Sequence, residues 1–143
     1  MTEKAIVIDI DGVILDSSEI IKEMEINNYD WGYFDRNCNC DEVKLIGNIK
    51  PFLRALGRDI RVIISTARTE KIRPQTARKL WKYRIQFDDM YMRGINDFRK
   101  DYEVKKDQIK EIMQKYDIVA FIDDKEENCN IAKEFGLLSL EVM

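Results

Sequence analysis

The sequence predicts an α/β fold, a doubly wound parallel sheet, and three observations carry that expectation. Apolar runs rich in β-branched residues recur at AIVIDI (5–10), IRVIIS (60–65) and IVAFI (118–122); they are continuous rather than alternating, as strands covered on both faces must be. Amphipathic helical patterns separate them, the order that places helices on both faces of a parallel sheet. Acidic residues end the first and last of these runs, at Asp9, Asp11, Asp123 and Asp124, and sites in such sheets lie beyond the carboxyl ends of the strands.

The elements follow in order. Strand one, Ala5 to Ile10, runs into Asp-x-Asp-Gly, and Asp16, Ser17 and Ser18 offer caps for a short helix reaching about Met24. The stretch NNYDWGYFDRNCNCDE (27–42) has no period and reads as loop. Pro51 suits a first helical turn, with Phe52, Leu53, Ala55 and Leu56 following and Gly57 stopping the helix. Strand two is Ile60 to Ser65, and the TART after it reads as a loop before a helix opened by Pro74 that runs to about Tyr83. In that helix Ala77, Leu80, Trp81 and Arg84 set an apolar stripe beside a basic one. A brief third strand falls near Met90 to Met92. Lys105 to Tyr116 is helical by its period, with Ile109, Ile112, Met113 and Tyr116 on one side. Strand four is Ile118 to Ile122; a helix of about Asn128 to Phe135, closed by Gly136, leads to strand five at Leu138 to Val142.

The length of 143 residues fits one domain, 1–143. With 45% hydrophobic and 36% charged residues, two prolines and six glycines, neither disorder nor a fibrous repeat is expected. No apolar run approaches the roughly 20 residues that span a bilayer, and the opening MTEKAIVIDIDG is acidic where a secretory leader is apolar. The expected location is cytoplasmic, without a membrane partner and with no obligate protein partner evident. Cys38, Cys40 and Cys129 are an odd count and are expected to be free thiols of a reducing compartment.

The chain has no histidine, which removes the Ser-His-Asp triad, phosphohistidine chemistry and mixed His/Cys zinc sites. A thiol phosphatase would need Cys-x5-Arg, but the residues six beyond the cysteines are Lys44, Ile46 and Phe135. Carboxylates, hydroxyls, lysines and arginines remain. A net charge of −3 argues against a broad nonspecific nucleic-acid surface. Its distribution is uneven: seven basic residues against one acidic lie between Arg68 and Arg84, and eight acidic against two basic between Asp16 and Glu42. Such clusters are most often solvated helix faces.

Asp9 and Asp11, at i and i+2 after a buried strand, share a face. With Asp123 and Asp124 beside them, such a crowd of carboxylates requires a cation, and all-oxygen ligands select a hard one, with Mg²⁺ fitting best because it retains waters and accepts a phosphate oxygen. Taken singly, Asp-x-Asp-Gly is a turn and Asp-Asp a strand terminus. Their joint occurrence with Thr66, Arg68 and a lysine opening the intervening helix is not explained by turns.

These residues resemble the haloacid dehalogenase (HAD) superfamily, whose four motifs stand in order as Asp9-Ile10-Asp11-Gly12, Thr66 in STAR, Lys105 in DYEVKK and Asp123-Asp124 in FIDDKEEN. A closer resemblance, through RPQTARKLWKYRI, YMRGINDFRKDYEVKK and FIDD, is to the 3′-phosphatase domain of phage polynucleotide kinase and its stand-alone relatives. No Gly-x4-Gly-Lys-Ser/Thr kinase loop is present, and Ala67 stands where the family often has glycine.

The resemblance implies a Rossmann-like HAD core and a Mg²⁺-dependent phosphatase acting through an aspartyl-phosphate. Asp9 would be the nucleophile, Asp11 the general acid and base, Thr66 a donor to a phosphoryl oxygen and Lys105 the balancing charge. Asp9, Asp123 and the Asp11 carbonyl would hold the metal, with Asp124 a direct or outer ligand. Lys105 rather than its neighbour Lys106 follows the family pattern. Arg68 is a candidate for gripping substrate phosphate by its planar fork, and Arg99 is a second. Tyr91, Trp81 and the trio Trp31, Tyr33 and Phe34 are expected to be packing residues. Only residues 13–48 could form a cap, so a sizeable cap domain is not expected. An open crevice near a basic helix points to the 3′-phosphate of a polynucleotide end. A nucleotide or small-metabolite phosphatase is the first alternative. A receiver-like phospho-signalling domain is the second, although its phosphorylated Asp should end the third strand, where this chain has Met92-Arg93-Gly94.

Overall fold

The computed structural model of the chain describes residues 2–143. Five parallel strands form one sheet: β1 (Glu3–Ile8), β4 (Ile60–Thr69), β5 (Asp89–Arg93), β6 (Tyr116–Asp123) and β7 (Ser139–Glu141), in the order β5-β4-β1-β6-β7. Counting these core strands along the chain, the order is 3-2-1-4-5. It differs from the 2-1-3-4-5 order of flavodoxin-like sheets to which receiver domains belong, so the receiver alternative does not fit.

β1 is central, and its side chains divide between two cores because successive residues point to opposite faces. Ile6 and Ile8 join Ile64, Leu80, Ile85 and Met90 on the face covered by α3 (Ile49–Ala55) and α4 (Arg73–Lys82). Ala5 and Val7 join Ile63, Ile109, Ile112, Phe121 and Ala132 beneath α5 (Asp101–Lys115) and α6 (Glu126–Glu134). Each such buried Ile contributes about 1.5–3 kcal/mol of transfer free energy, which fixes the strand register and so the position of everything at its carboxyl end.

Between β1 and α3 lies a small insertion. β2 (Leu15–Asp16) pairs antiparallel with β3 (Lys44–Leu45), and between them come α1 (Ser18–Ile26) and α2 (Trp31–Asn37). Met24, Phe34 and Cys38 of this insertion pack with Ile72 in a cluster of their own. It is not a sizeable cap domain. Among the described residues, no helix is long and apolar enough to cross a membrane.

Several boundaries differ from expectation. The stretch 27–42 contains α2, a helix with Phe34 as its single buried residue, held by Asp30 accepting from the Tyr33 amide at 3.1 Å; a helix with so little apolar period leaves no sequence signal. TART is not a loop: β4 continues to Thr69, and a short 3-10 turn at Glu70–Ile72 precedes α4. β1 stops at Ile8, although Asp9 still donates its amide to the Ile122 carbonyl at 3.0 Å. α5 begins four residues early, at Asp101, because Glu103 folds back to accept from the Lys100 amide at 3.1 Å. Trp81 and Trp31 are exposed rather than packed, as is much of Met113, whereas Phe34 is buried.

Candidate active site

Asp9 leaves the central strand between β4 and β6, which brings residues of four elements within bonding distance. Lys105, from the first turns of α5, is 1% exposed. Its Nζ donates to Asp9 Oδ1 at 3.0 Å and to the Ser65 carbonyl, and lies 3.0 Å from Asp123 Oδ2. Its neighbour Lys106 is exposed, so of the two lysines it is Lys105 that lies at the carboxylates. Burial opposes the Lys105 charge, but Asp9 and Asp123 outweigh it and hold the ammonium above its usual range.

Asp9, Asp123 and Asp124 each present a carboxylate oxygen, all within 4.8 Å of one another. Burial, the largest influence, pushes Asp9 well above the ordinary carboxylate range; Lys105 pulls it back, and Asp123, Asp11 and Asp124 push it up again. Burial and then Asp123 raise Asp124 to about 6. One oxygen of Asp124, Oδ1, is buried without a hydrogen-bond partner. Three converging carboxylates, one ammonium and an orphaned oxygen leave negative charge unmet, and this all-oxygen set fits a hard divalent cation such as Mg²⁺.

Gly12 gives Asp124 its place. Its φ of +87° is disfavoured for other residues, and a Cβ there would lie 2.0 Å from Asp124 Oδ2. The turn is closed by Ile14 and Leu15 both donating to the Ile10 carbonyl at 2.9 Å.

Asp11 faces another way. Arg68, 2% exposed, donates Nε to Asp11 Oδ2 at 3.0 Å and Nη2 to Oδ1 at 2.7 Å, and Ser17 donates to Oδ1 at 2.5 Å. Burial works against ionisation of Asp11, yet the charge and hydrogen bonds of Arg68, with Ser17, hold its carboxyl below the usual range. The guanidinium is caged further by Asn39 Oδ1 at 2.6 Å, Thr76 Oγ1 at 3.2 Å and the Cys38 carbonyl at 3.3 Å. Phe34 stacks beneath it, 5.7 Å from the ring centre. Thr66 is fully buried, and its Oγ1 accepts from the Arg68 amide at 3.1 Å.

The structure thus brings together Asp9, Asp11, Thr66, Arg68, Lys105, Asp123 and Asp124. The Asp11 carboxylate lies outside the three-carboxylate group, and Arg99 stands apart: it is exposed and occupied by Asp97 and Asp107, each at 2.8 Å. Two buried amides escaped the sequence reading. Asn128 reaches both oxygens of Asp123 at 3.3 and 3.2 Å. Gln108 accepts from Ser65 at 2.5 Å and donates to the Thr66 carbonyl at 3.0 Å, holding the middle of β4. Asn128 lies in the first turn of α6 and Gln108 about two turns into α5, each facing a strand, positions that the acidic motifs overshadow.

The pattern of the polynucleotide kinase PNKP phosphatase domain matches residues 3–143. A chain in the structure of the Pnkp1/Rnl/Hen1 RNA repair complex is similar over 99% of this chain, at 28% identity and a TM-score of 0.79. This chain spans only 42% of that one. A haloacid dehalogenase-like hydrolase from Streptococcus pneumoniae shares the fold at 17% identity and a TM-score of 0.68, over 97% of this chain and 84% of its own. A predicted phosphatase from Clostridium acetobutylicum does so at 15% and 0.71, over 99% and 84%. Among curated proteins no match is found.

Proposed function

Because the chain belongs to the polynucleotide kinase PNKP phosphatase domain family, within the haloacid dehalogenase phosphatases, we propose that it hydrolyses the 3′-phosphate of a polynucleotide end, with Mg²⁺, through an aspartyl-phosphate on Asp9. The observation that carries this reading is the single ammonium of Lys105 shared between Asp9 and Asp123 at 3.0 Å each, which leaves the second Asp9 oxygen to attack phosphorus.

In the first half-reaction an Asp9 oxygen attacks in line and the P–O bond to the sugar 3′-oxygen breaks, with its electron pair leaving on that oxygen. Asp11 supplies the proton. The Arg68 fork, on Asp11 in this structure, turns to the arriving phosphate, and the freed carboxyl takes up a proton from solvent before passing it to the leaving oxygen. In the second half-reaction Asp11, once more an anion, takes a proton from the water that cleaves the acyl phosphate. Thr66 donates to a phosphoryl oxygen, and Lys105 offsets charge on Asp9 and the transferring group. Asp9, Asp123, Asp124 and the Asp11 carbonyl would hold Mg²⁺, which when bound supplies electrostatic stabilisation of the phosphoryl oxygens. Charge stabilisation of this kind is worth roughly 10²- to 10³-fold per donor.

A polynucleotide substrate is supported by the family and by the small size of the insertion, which among the described residues builds no covering domain over the crevice. The test is phosphate release from a 3′-phosphorylated oligonucleotide compared with nucleoside 3′- and 5′-monophosphates, with Mg²⁺ and with chelator. The expected result is Mg²⁺-dependent release preferring the oligonucleotide. Preference for mononucleotides would overturn the substrate, and release undiminished by chelator would overturn the metal.

A further inference from the structure

At the opposite end of the sheet from the acidic cluster, the chain builds a cationic groove that the chemistry above does not use. It is an open hollow of about 560 Å³ where α3 ends and β4 begins, with Lys50, Arg54, Arg58, Arg61 and Arg84 around a floor that includes Ile60, Val62 and Ile85. Arg61 is committed to Glu3 and Asp88. Among the described residues, Lys50, Arg54, Arg58 and Arg84 form no ion pair. Arg84 reaches the groove through a left-handed turn, φ 58°, that leads the chain out of α4. A second hollow shares Ile85, Gln86, Phe87 and Asp88 with the first and adds Arg78 and Trp81, so the two are continuous. Trp81 is 73% exposed.

Four arginines and lysines without partners, beside a large exposed aromatic, make the combination that holds single-stranded nucleic acid: cations along the phosphates and a ring on which a base can stack. An anionic metabolite would not need the length of the groove, and α4 with Arg78 and Lys82 on its exposed positions, preceded by the exposed Lys71 of the 3-10 turn, carries positive charge toward the catalytic end. Resting on the polynucleotide reading, we infer that this groove binds the body of the nucleic acid whose 3′ end lies at Asp9. Six residues of β4 separate Ile60 from Thr66, about 20 Å. At about 3.4 Å per stacked nucleotide, a strand of at least about six nucleotides is needed to occupy both places.

The test uses the intact chain and the variant Arg54→Gln/Arg58→Gln/Arg84→Asn, the asparagine chosen because it tolerates positive φ. A fluorescent single strand of about 20 nucleotides with a 3′-hydroxyl is titrated at several salt concentrations. The variant should bind about 10-fold more weakly, and its log–log salt slope should fall by about 2, from three phosphate contacts at about 0.7 each. With 3′-phosphorylated strands its KM should rise about 10-fold for long strands and be unchanged for strands of two or three nucleotides. Hydrolysis of p-nitrophenyl phosphate should stay at the wild-type rate. Unchanged binding by the variant overturns the inference, as does wild-type protein that fails to bind the strand. Tighter binding of poly-glutamate than of the oligonucleotide overturns it in favour of an acidic protein partner. Binding of the 3′-hydroxyl strand requires no catalysis, so failure to hydrolyse 3′-phosphates would sink the substrate reading without touching this result.

Discussion

Arg68 holds Asp11 by both carboxylate oxygens, at 3.0 and 2.7 Å, with its guanidinium wholly buried. Lysine cannot reproduce that fork. Arg68→Lys is expected to lower kcat/KM by about 10²-fold or more. Arg68→Ala, which leaves Asp11 unpaired, is expected to cost about 3–5 kcal/mol in urea unfolding. Asp11→Ala added to Arg68→Ala should recover part of that loss, the coupling expected of residues in contact. Additive losses would show that the pair is not coupled.

Asp9→Asn removes the proposed nucleophile while keeping side-chain shape and a hydrogen-bond acceptor for Lys105. No phosphate release is expected, with an unchanged circular dichroism spectrum. Asp11→Asn is expected to slow both half-reactions, seen in a rapid-quench experiment as slower formation and slower decay of the phosphorylated protein. Full activity in Asp9→Asn would end the aspartyl-phosphate mechanism.

Mg²⁺ should raise the melting temperature of the wild-type chain, since a ligand at about 100 times its Kd adds about 2.7 kcal/mol. In Asp123→Asn the shift should vanish. Gly12→Ala should reduce it as well, because the new Cβ would meet Asp124 Oδ2 at 2.0 Å and push that carboxylate out of place. An undiminished Mg²⁺ shift in both variants would place the ion elsewhere.

Burial pushes the Cys38 thiol up to about 12, so at pH 8 only about one molecule in 10⁴ carries the thiolate there. Cys129 is buried and raised too, again by burial first. Maleimide at pH 8 should therefore modify native protein at Cys40 alone, with Cys38 and Cys129 reacting only in guanidinium. Peptide mass spectrometry reads the sites, and rapid labelling of Cys38 would contradict its packing.

Much of the core was legible because burial on both faces demands uninterrupted apolar runs, as at Ile6–Ile8 and Ile63–Ile64. The acids at the strand ends were legible for the same reason: a charge directly after such a run has few places to go. Helix α2 was not, since Phe34 alone carries its burial. Nor was the continuation of β4 through Thr69, where polar residues occupy the strand because Thr66 and Arg68 meet partners from α5 and the insertion rather than apolar neighbours. The pairing of Arg68 with Asp11 joins residues 57 positions apart, and no local pattern encodes it. Asn128 and Gln108 escaped because an amide at helical spacing looks like any solvated residue until the strand it faces is known.

The lysine at the centre of the acidic cluster has a consequence for biogenesis. Small zinc domains collapse only around their ion, because nothing else quiets their ligands. Here a resident ammonium from the chain itself already does so for Asp9 and Asp123. Under the proposed Mg²⁺ reading, the polypeptide is therefore expected to mature before it is loaded, and to survive removal of the ion without coming apart.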